Sequence, residues 1–189
     1  MSIFKTNHIY LTNTQIQILL DIYKTLQEEG TRILSPKSRP QTVSKSTMID
    51  QINWMTRRFH FIKAVRFQGR AGIYHEFDMD IFAELHEALL AGVYEATTAI
   101  QVASLTVACY ILNKGTPLYW KAFGDVTGDK VLYYPAQIRE VGYLDIFADK
   151  YRVTDRGHRA VEYWDRVSDI LLRKPDQAIL ADNVVRFKR

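Results

Sequence analysis

A mainly α chain with small β-hairpins, an α+β class laid out as two successive units, is what the sequence predicts, and three observations predict it. Apolar residues recur at three- and four-residue steps over several long stretches, the period of an amphipathic helix. Twice, over 61–77 and over 143–153, that period gives way to extended runs rich in aromatic and β-branched residues around a short turn. The chain has 189 residues, 47% hydrophobic and 24% charged, with eleven Tyr, nine Phe and three Trp, which is enough to bury a core in each unit. The expected units are 1–92 and 97–173, followed by a basic tail over 174–189.

The first ten residues read as an arm or a short strand. Thr12 or Asn13 then caps a helix through Glu29, with Ile16, Leu19, Leu20, Ile22, Tyr23 and Leu26 on its apolar face and Gly30 placed to end it. Residues 31–46, TRILSPKSRPQTVSKS, are rich in Ser, Pro and bases; Pro36 and Pro40 make this a loop with at most a brief turn. Ser44 or Ser46 caps the next helix, 46–58, in which Met48, Ile52, Met55 and then Phe59 form one apolar stripe. Thr47, Asp50, Asn53, Trp54 and Arg57 lie opposite, with Arg58 beside them. Over 60–77 the chain becomes a tight hairpin: Phe61, Val65 and Phe67 lead out, Gln68 to Gly72 turn, and Ile73 to Phe77 return. Asp78 or Asp80 then caps a helix carrying Ile81, Phe82, Leu85, Leu89 and Leu90, with Glu84 and Glu87 outside.

Gly92 and the Ala/Thr segment after it mark the expected boundary, near residues 92–97, although one long connecting helix over 80–113 would give almost the same sequence. Thr98 and Gln101 have capping-box spacing ahead of an apolar helix that ends at Asn113-Lys114-Gly115. Thr116 and Pro117 are expected to open a short helix through Phe123, and Gly124 and Gly128 to bracket a turn. A third helical piece, Pro135 to Val141, stops at Gly142. Tyr143 to Phe147 and Tyr151 to Val153 read as strands around Ala148-Asp149-Lys150, and Val184 to Phe187 can form a terminal strand.

A helix with a polar, basic outer face leading into a hairpin with Arg70 at its tip resembles a winged helix-turn-helix. Residues 142–164, GYLDIFADKYRVTDRGHRAVEYW, resemble the wing and final helix of the MarR- and PadR-like branches of that superfamily. The likeness covers about residues 13–90 and 99–172 and implies a tandem winged helix-turn-helix. It implies a recognition helix, 46–58, in the major groove and a wing, 60–77, on the adjacent backbone or minor groove. It also implies that Thr154 caps the last helix, and that Val161, Trp164, Val167, Ile170 and Leu171 form its packing face, often a dimer or interdomain surface in such families. The superfamily has a short second helix where this chain has Pro36 and Pro40, so the helix-turn-helix corner rests on what flanks it.

Charge points the same way. Between Thr31 and His75 nine bases (Arg32, Lys37, Arg39, Lys45, Arg57, Arg58, Lys63, Arg66 and Arg70) stand against one acid, Asp50, a local +8 in a chain of net +4. Phosphate binding needs such a patch, although a plain solvated face is the alternative. Ser46, Thr47, Asn53 and Arg57 are expected at base edges, and Lys45, Arg58, Lys63 and Arg66 on phosphates. Arg70 is expected in or near the minor groove, with Lys37 and Arg39 following the backbone from the loop. Asp50 can accept from cytosine N4. Trp54 either packs on sugars or an unstacked base, or is covered by the Pro-rich loop. The second unit is balanced: Lys130 and Arg139 against Asp129 and Glu140, and Lys150 and Arg152 against Asp145 and Asp149. It is expected to pack, dimerise or bind a protein.

Patterns for chemistry are missing. The one cysteine, Cys109, lies in an apolar helical run and reads as a small buried hydrophobe ahead of a catalytic thiol. The five histidines form no HxH or HExxH; His75, Glu76, Asp78 and His86 are the one set that folding could gather round a divalent ion. Neither Gly69-x-x-Gly72 nor Gly124-x-x-x-Gly128 continues as a phosphate-binding loop. Tyr133-Tyr134 lacks the paired histidines of nicking enzymes. No enzyme, cofactor or metal is expected. The N-terminus lacks the apolar core of a signal peptide, and 99–112 is too short and polar to span a bilayer, so the expected place is the cytoplasm, at the nucleoid. The expected function is sequence-specific binding of double-stranded DNA by a homodimeric transcriptional regulator. A plasmid or viral replication or partition factor of the same fold is the near alternative. A tandem winged-helix protein-binding subunit, like kleisin partners of chromosome-organising complexes, is the distant one; the acidic stretch from Glu76 to Asp129 suits it.

Overall fold

The computed structural model describes residues 8–40, 42–92, 98–127 and 134–174. In chain order the elements are α1 (Asn13–Glu28), β1 (Ile33–Leu34), α2 (Lys45–Arg58), β2 (Ile62–Val65), β3 (Tyr74–Phe77), α3 (Met79–Ala91), α4 (Ala99–Lys114) and β4 (Leu118–Tyr119). A 3-10 turn at Trp120–Ala122 leads into α5 (Phe123–Thr127), followed by α6 (Pro135–Val141), β5 (Leu144–Phe147), β6 (Lys150–Val153) and α7 (Asp155–Leu172). Among the described residues the chain is mainly helical with two three-stranded antiparallel sheets, ordered β1-β3-β2 and β4-β6-β5, an α+β class as the sequence indicates.

Two compact units form, one of Thr14–Ala91 with the residues from Asp169, the other of Gly92–Ser168 with the residues up to Asn13. One division falls between Ala91 and Gly92, and the two terminal stretches group with the unit distant from them in sequence. The cause is local bonding. Ile9 N donates to Ser168 Oγ, His8 Nε2 lies 2.6 Å from Asp165 Oδ1, and Tyr10 packs edge-on against Trp164, so residues 8–10 belong with α7. Arg173, in turn, is bound to both carboxylate oxygens of Glu84 on α3.

In the first unit α1 buries Ile16, Ile18, Leu19, Ile22 and Leu26. It closes with Thr31 N on Leu26 O and Gly30 N on Gln27 O, the paired bonds of a Schellman end, with Gly30 at φ +60°. Ser44 caps α2 by accepting from Thr47 N, and Met48, Ile52, Met55 and Phe59 are buried as their spacing predicts. Phe61, Phe77 and Phe82 pack on one another with centroids 5.0–6.5 Å apart and close this core. Asp78 caps α3 through Asp80 N and Ile81 N. Leu90, expected on its apolar face, is 59% exposed.

Two expectations are corrected here. Residues 33–34 are a strand, because the outer edge of β3 offers unpaired backbone groups to Ile33 and Leu34, opposite Glu76 and His75. The hairpin is also not tight: pairing stops at Val65↔Tyr74, and residues 66–73 form a long tip with a turn closed by Arg70 N on Phe67 O. Gly72, at φ +97°, lies against Pro36, where a Cβ would come within 2.8 Å of the proline ring.

In the second unit Thr98 and Gln101 form the expected capping box and Gly115, at φ +66°, ends α4. Thr116-Pro117 does not open a helix. Leu118 and Tyr119 instead pair with Tyr151 and Lys150 of β6, and Trp120 N bonds to Asp149 O, which delays helix formation to 120–127 and takes Gly124 into α5. α6 ends at Gly142 as expected. Thr154 Oγ1 accepts from Gly157 N at 3.0 Å and donates to Gly142 O at 2.6 Å, tying the end of α6 to the start of α7. Gly157 sits where a Cβ would lie 2.2 Å from the Tyr143 carbonyl oxygen, so the Thr-x-x-Gly spacing serves both cap and packing. Val161, Trp164, Val167, Ile170 and Leu171 are all buried. Gly128, the boundary residues 93–97 and the strand expected at 184–187 lie outside the described residues.

Candidate nucleic-acid interface

The apolar stripe of α2 leaves a continuous outer stripe of Ser46, Asp50, Asn53 and Arg57, at i, i+4, i+7 and i+11. Fourteen residues make this helix about 21 Å long. Ser46, Asp50 and Arg57 are exposed and Asn53 is half-buried. At the N-terminal end the hydroxyls of Ser46 and Thr47 lie 3.1 and 2.7 Å from Ser44 Oγ, so both share in the cap. Lys45 projects beside them, exposed. At the other end Arg58 places its guanidinium 4.7 Å over the Trp54 ring, which packs edge-on against Phe59. Trp54 is half-buried, with Arg58 over its ring and Phe59 against its edge.

Lys63 on β2 and Arg66 and Arg70 in the tip are all exposed, and Arg70 rests 5.7 Å over Phe67, itself edge-on to Tyr74. Two bases of the patch are committed elsewhere. Arg32 is paired with Glu76 at 3.0 Å, an acid just outside the counted stretch. Arg39 is half-buried and donates to Ile73 O at 3.0 Å, so it fastens the loop to the hairpin, and burial lowers its pKa. Lys37 stays exposed on a turn built by Ser35 Oγ, which accepts from Lys37 N and Ser38 N. The structure thus gathers Lys45, Arg57, Arg58, Lys63, Arg66 and Arg70 as exposed cations on one unit, with Lys37 on the adjoining loop.

Within the hairpin itself His75 sits on β3, the central strand of its sheet, with its side chain 1% exposed. Neither of its ring nitrogens has a protein hydrogen-bond partner. Burial first, then the charge of Arg39, pushes its pKa down to about 4. The other members of the divalent-ion set are occupied separately: Glu76 by Arg32, Asp78 by the cap of α3, and His86 by stacking 4.2 Å from Tyr23. No group of three or more His, Cys, Asp or Glu is arranged to hold a metal among the described residues.

In the second unit Cys109 Sγ lies 3.3 Å from His8 Nδ1, with Asp165 on the other ring nitrogen. Those residue types in that order could make a nucleophile, base and orienting acid. The thiol, however, is buried and pushed up to about 12, by burial and then by Asp165, the reverse of an activated cysteine. The cluster works as a polar staple between residues 8–10 and α7.

The sheet of this unit presents what a count of charges conceals. Asp145, Phe147 and Arg152 are exposed and Lys150 half-buried, alternating within their strands with the buried or half-buried Leu144, Ile146, Tyr151 and Val153, and the register puts Tyr119, Lys150 and Phe147 in one row and Arg152 with Asp145 in the next. The period-2 alternation in Leu144-Asp145-Ile146-Phe147 and Lys150-Tyr151-Arg152-Val153 carried that signal in the sequence. Arg139 of α6 binds Asp145 at 3.1 Å; Lys130, Asp129 and Tyr133 lie outside the described residues. Among the described residues no helix is long and apolar enough to cross a membrane. No family model, curated protein or solved structure gives a significant match to this chain.

Proposed function

We propose that the protein is a sequence-specific double-stranded DNA-binding protein of tandem winged-helix architecture, a homodimeric transcriptional regulator acting at the nucleoid. The observation that carries this reading is the outer stripe of α2 set beside an exposed basic hairpin within one unit. An α-helix fits the major groove, and Asn53 and Arg57 are side chains suited to adenine and guanine edges. Lys45, Arg58, Lys63 and Arg66 stand where phosphates flank such a helix, and Arg70 at the tip reaches the neighbouring groove.

The topology supports the architecture. In both units a helix and a two-residue strand precede a hairpin whose second strand takes the middle of the sheet. Between that strand and the hairpin the second unit has two short helices, α5 and α6, whereas the first has a loop followed by the single helix α2.

The test is a titration of random duplex DNA at two salt concentrations, with Arg57→Ala/Arg70→Ala alongside. The four phosphate contacts of Lys45, Arg58, Lys63 and Arg66 give a log–log salt slope of about −4. Steeply salt-dependent binding that the double variant loses supports the reading. No binding at low salt overturns it in favour of a protein-binding subunit docking an acidic partner on the same patch.

A further inference from the structure

The second unit carries a surface of different chemistry. On the outer face of its sheet Tyr119 is 60% and Phe147 62% exposed, on the two strands that flank Lys150 of β6. Strand spacing sets those two backbones about 10 Å apart. Trp120, 36% exposed, follows Tyr119. Every one of these rings has a cation against it: Lys150 at 4.7 Å from the centre of Tyr119, Arg152 at 4.4 Å from Phe147, and Lys121 at 5.7 Å from Trp120. The acid on the face, Asp145, is bound by Arg139, and Asp149 stands at the hairpin tip. Among the described residues no acid lies within ion-pair distance of Lys121, Lys150 or Arg152.

From this juxtaposition we infer that the outer face of the β4-β6-β5 sheet binds single-stranded nucleic acid, with unpaired bases stacked on Tyr119 and Phe147 and the backbone neutralised by Lys150, Arg152 and Lys121. Exposed rings on a sheet give bases a sequence-tolerant platform, because every base has a π face. Interleaved cations supply the counter-charge that a run of phosphates requires. A protein partner seated by apolar burial would ask for contiguous apolar neighbours, and here each ring is bordered by an ammonium or guanidinium group. The second unit thereby gains a role apart from duplex reading: holding a strand that has been opened or is already unpaired.

The experiment is fluorescence anisotropy of the full chain with a labelled oligothymidylate of about 15 nucleotides, and separately with a duplex. Tyr119→Ala/Phe147→Ala should weaken oligothymidylate binding at least about tenfold and leave duplex binding unchanged. Tyr119→Trp/Phe147→Trp should retain it, and Tyr119→Leu/Phe147→Leu should lose it. Arg57→Ala/Arg70→Ala should show the converse, so failure here is distinct from failure of the duplex reading. The inference is overturned if the wild-type chain does not bind oligothymidylate, if the leucine variant binds as the wild type does, or if the alanine variant changes only sedimentation. The last result would make the face a contact between copies of the chain.

Discussion

Acid should destabilise the first unit through one residue. His75 is neutral in the fold, held down at about 4, whereas an imidazole in the unfolded chain takes its proton near 6.5. Between those values the unfolded state binds more protons, so stability falls as pH drops from about 6.5 toward 4 and levels off below. A difference of about 2.5 units corresponds to about 3 kcal/mol, a large share of the stability of a small domain. The assay is urea unfolding followed by circular dichroism at pH values from 7.5 to 4, for the wild-type chain and His75→Leu. The leucine keeps the volume of the core and removes two ring nitrogens that have no protein partner, so the variant should be as stable as the wild type or more so at pH 7.5. Its acid limb should be shallower by about 3 kcal/mol. Arg39→Met should give an intermediate slope, because it removes the second cause of the shift and leaves burial in place. Parallel acid limbs for wild type and His75→Leu would refute the assignment, and with it the placement of an unbonded imidazole at the centre of the sheet.

The remaining predictions concern packing and salt. Gly157→Ala should cost at least about 3 kcal/mol, since its Cβ would sit 2.2 Å from a backbone carbonyl, while Gly30→Ala, strained at φ +60° but facing open space, should cost about 1–2 kcal/mol. Thermal melts that rank the two the other way would contradict the close approach of α7 to Tyr143. Thr154→Val removes the cap of α7 and the bond to Gly142 and should cost about 1–3 kcal/mol, most of it restored by Thr154→Ser; a serine variant no better than valine would show that the hydroxyl does not matter. In DNA titrations Arg58→Ala and Lys63→Ala, which lose phosphate contacts, should each reduce the salt slope by about one, and Asn53→Ala should relax sequence preference at one position with the slope intact. A uniform loss from all three would sink the division into base and phosphate contacts.

Much of this molecule is legible in the sequence because helices advertise themselves locally. Ser44, Asp78, Thr98 and Thr154 cap their helices, Gly30, Gly115 and Gly142 end theirs in the left-handed conformation, and Met48, Ile52 and Met55 turn inward. Each of these depends on residues within a turn or two along the chain, so order along the sequence is sufficient to read it. The basic stretch was legible for the same reason, as a sum over neighbours. Tertiary structure decided the rest. β1 and β4 are two residues long and have no propensity of their own; they exist because β3 and β6 present backbone edges in need of partners. Those distant pairings turned Thr116-Pro117 away from a helix start and buried His75. They also brought Tyr119 into one row with Lys150 and Phe147, some thirty positions further along the chain. Capping and periodicity are written in consecutive residues, whereas a sheet face is assembled from residues far apart in sequence, and only the closed fold says which of them meet.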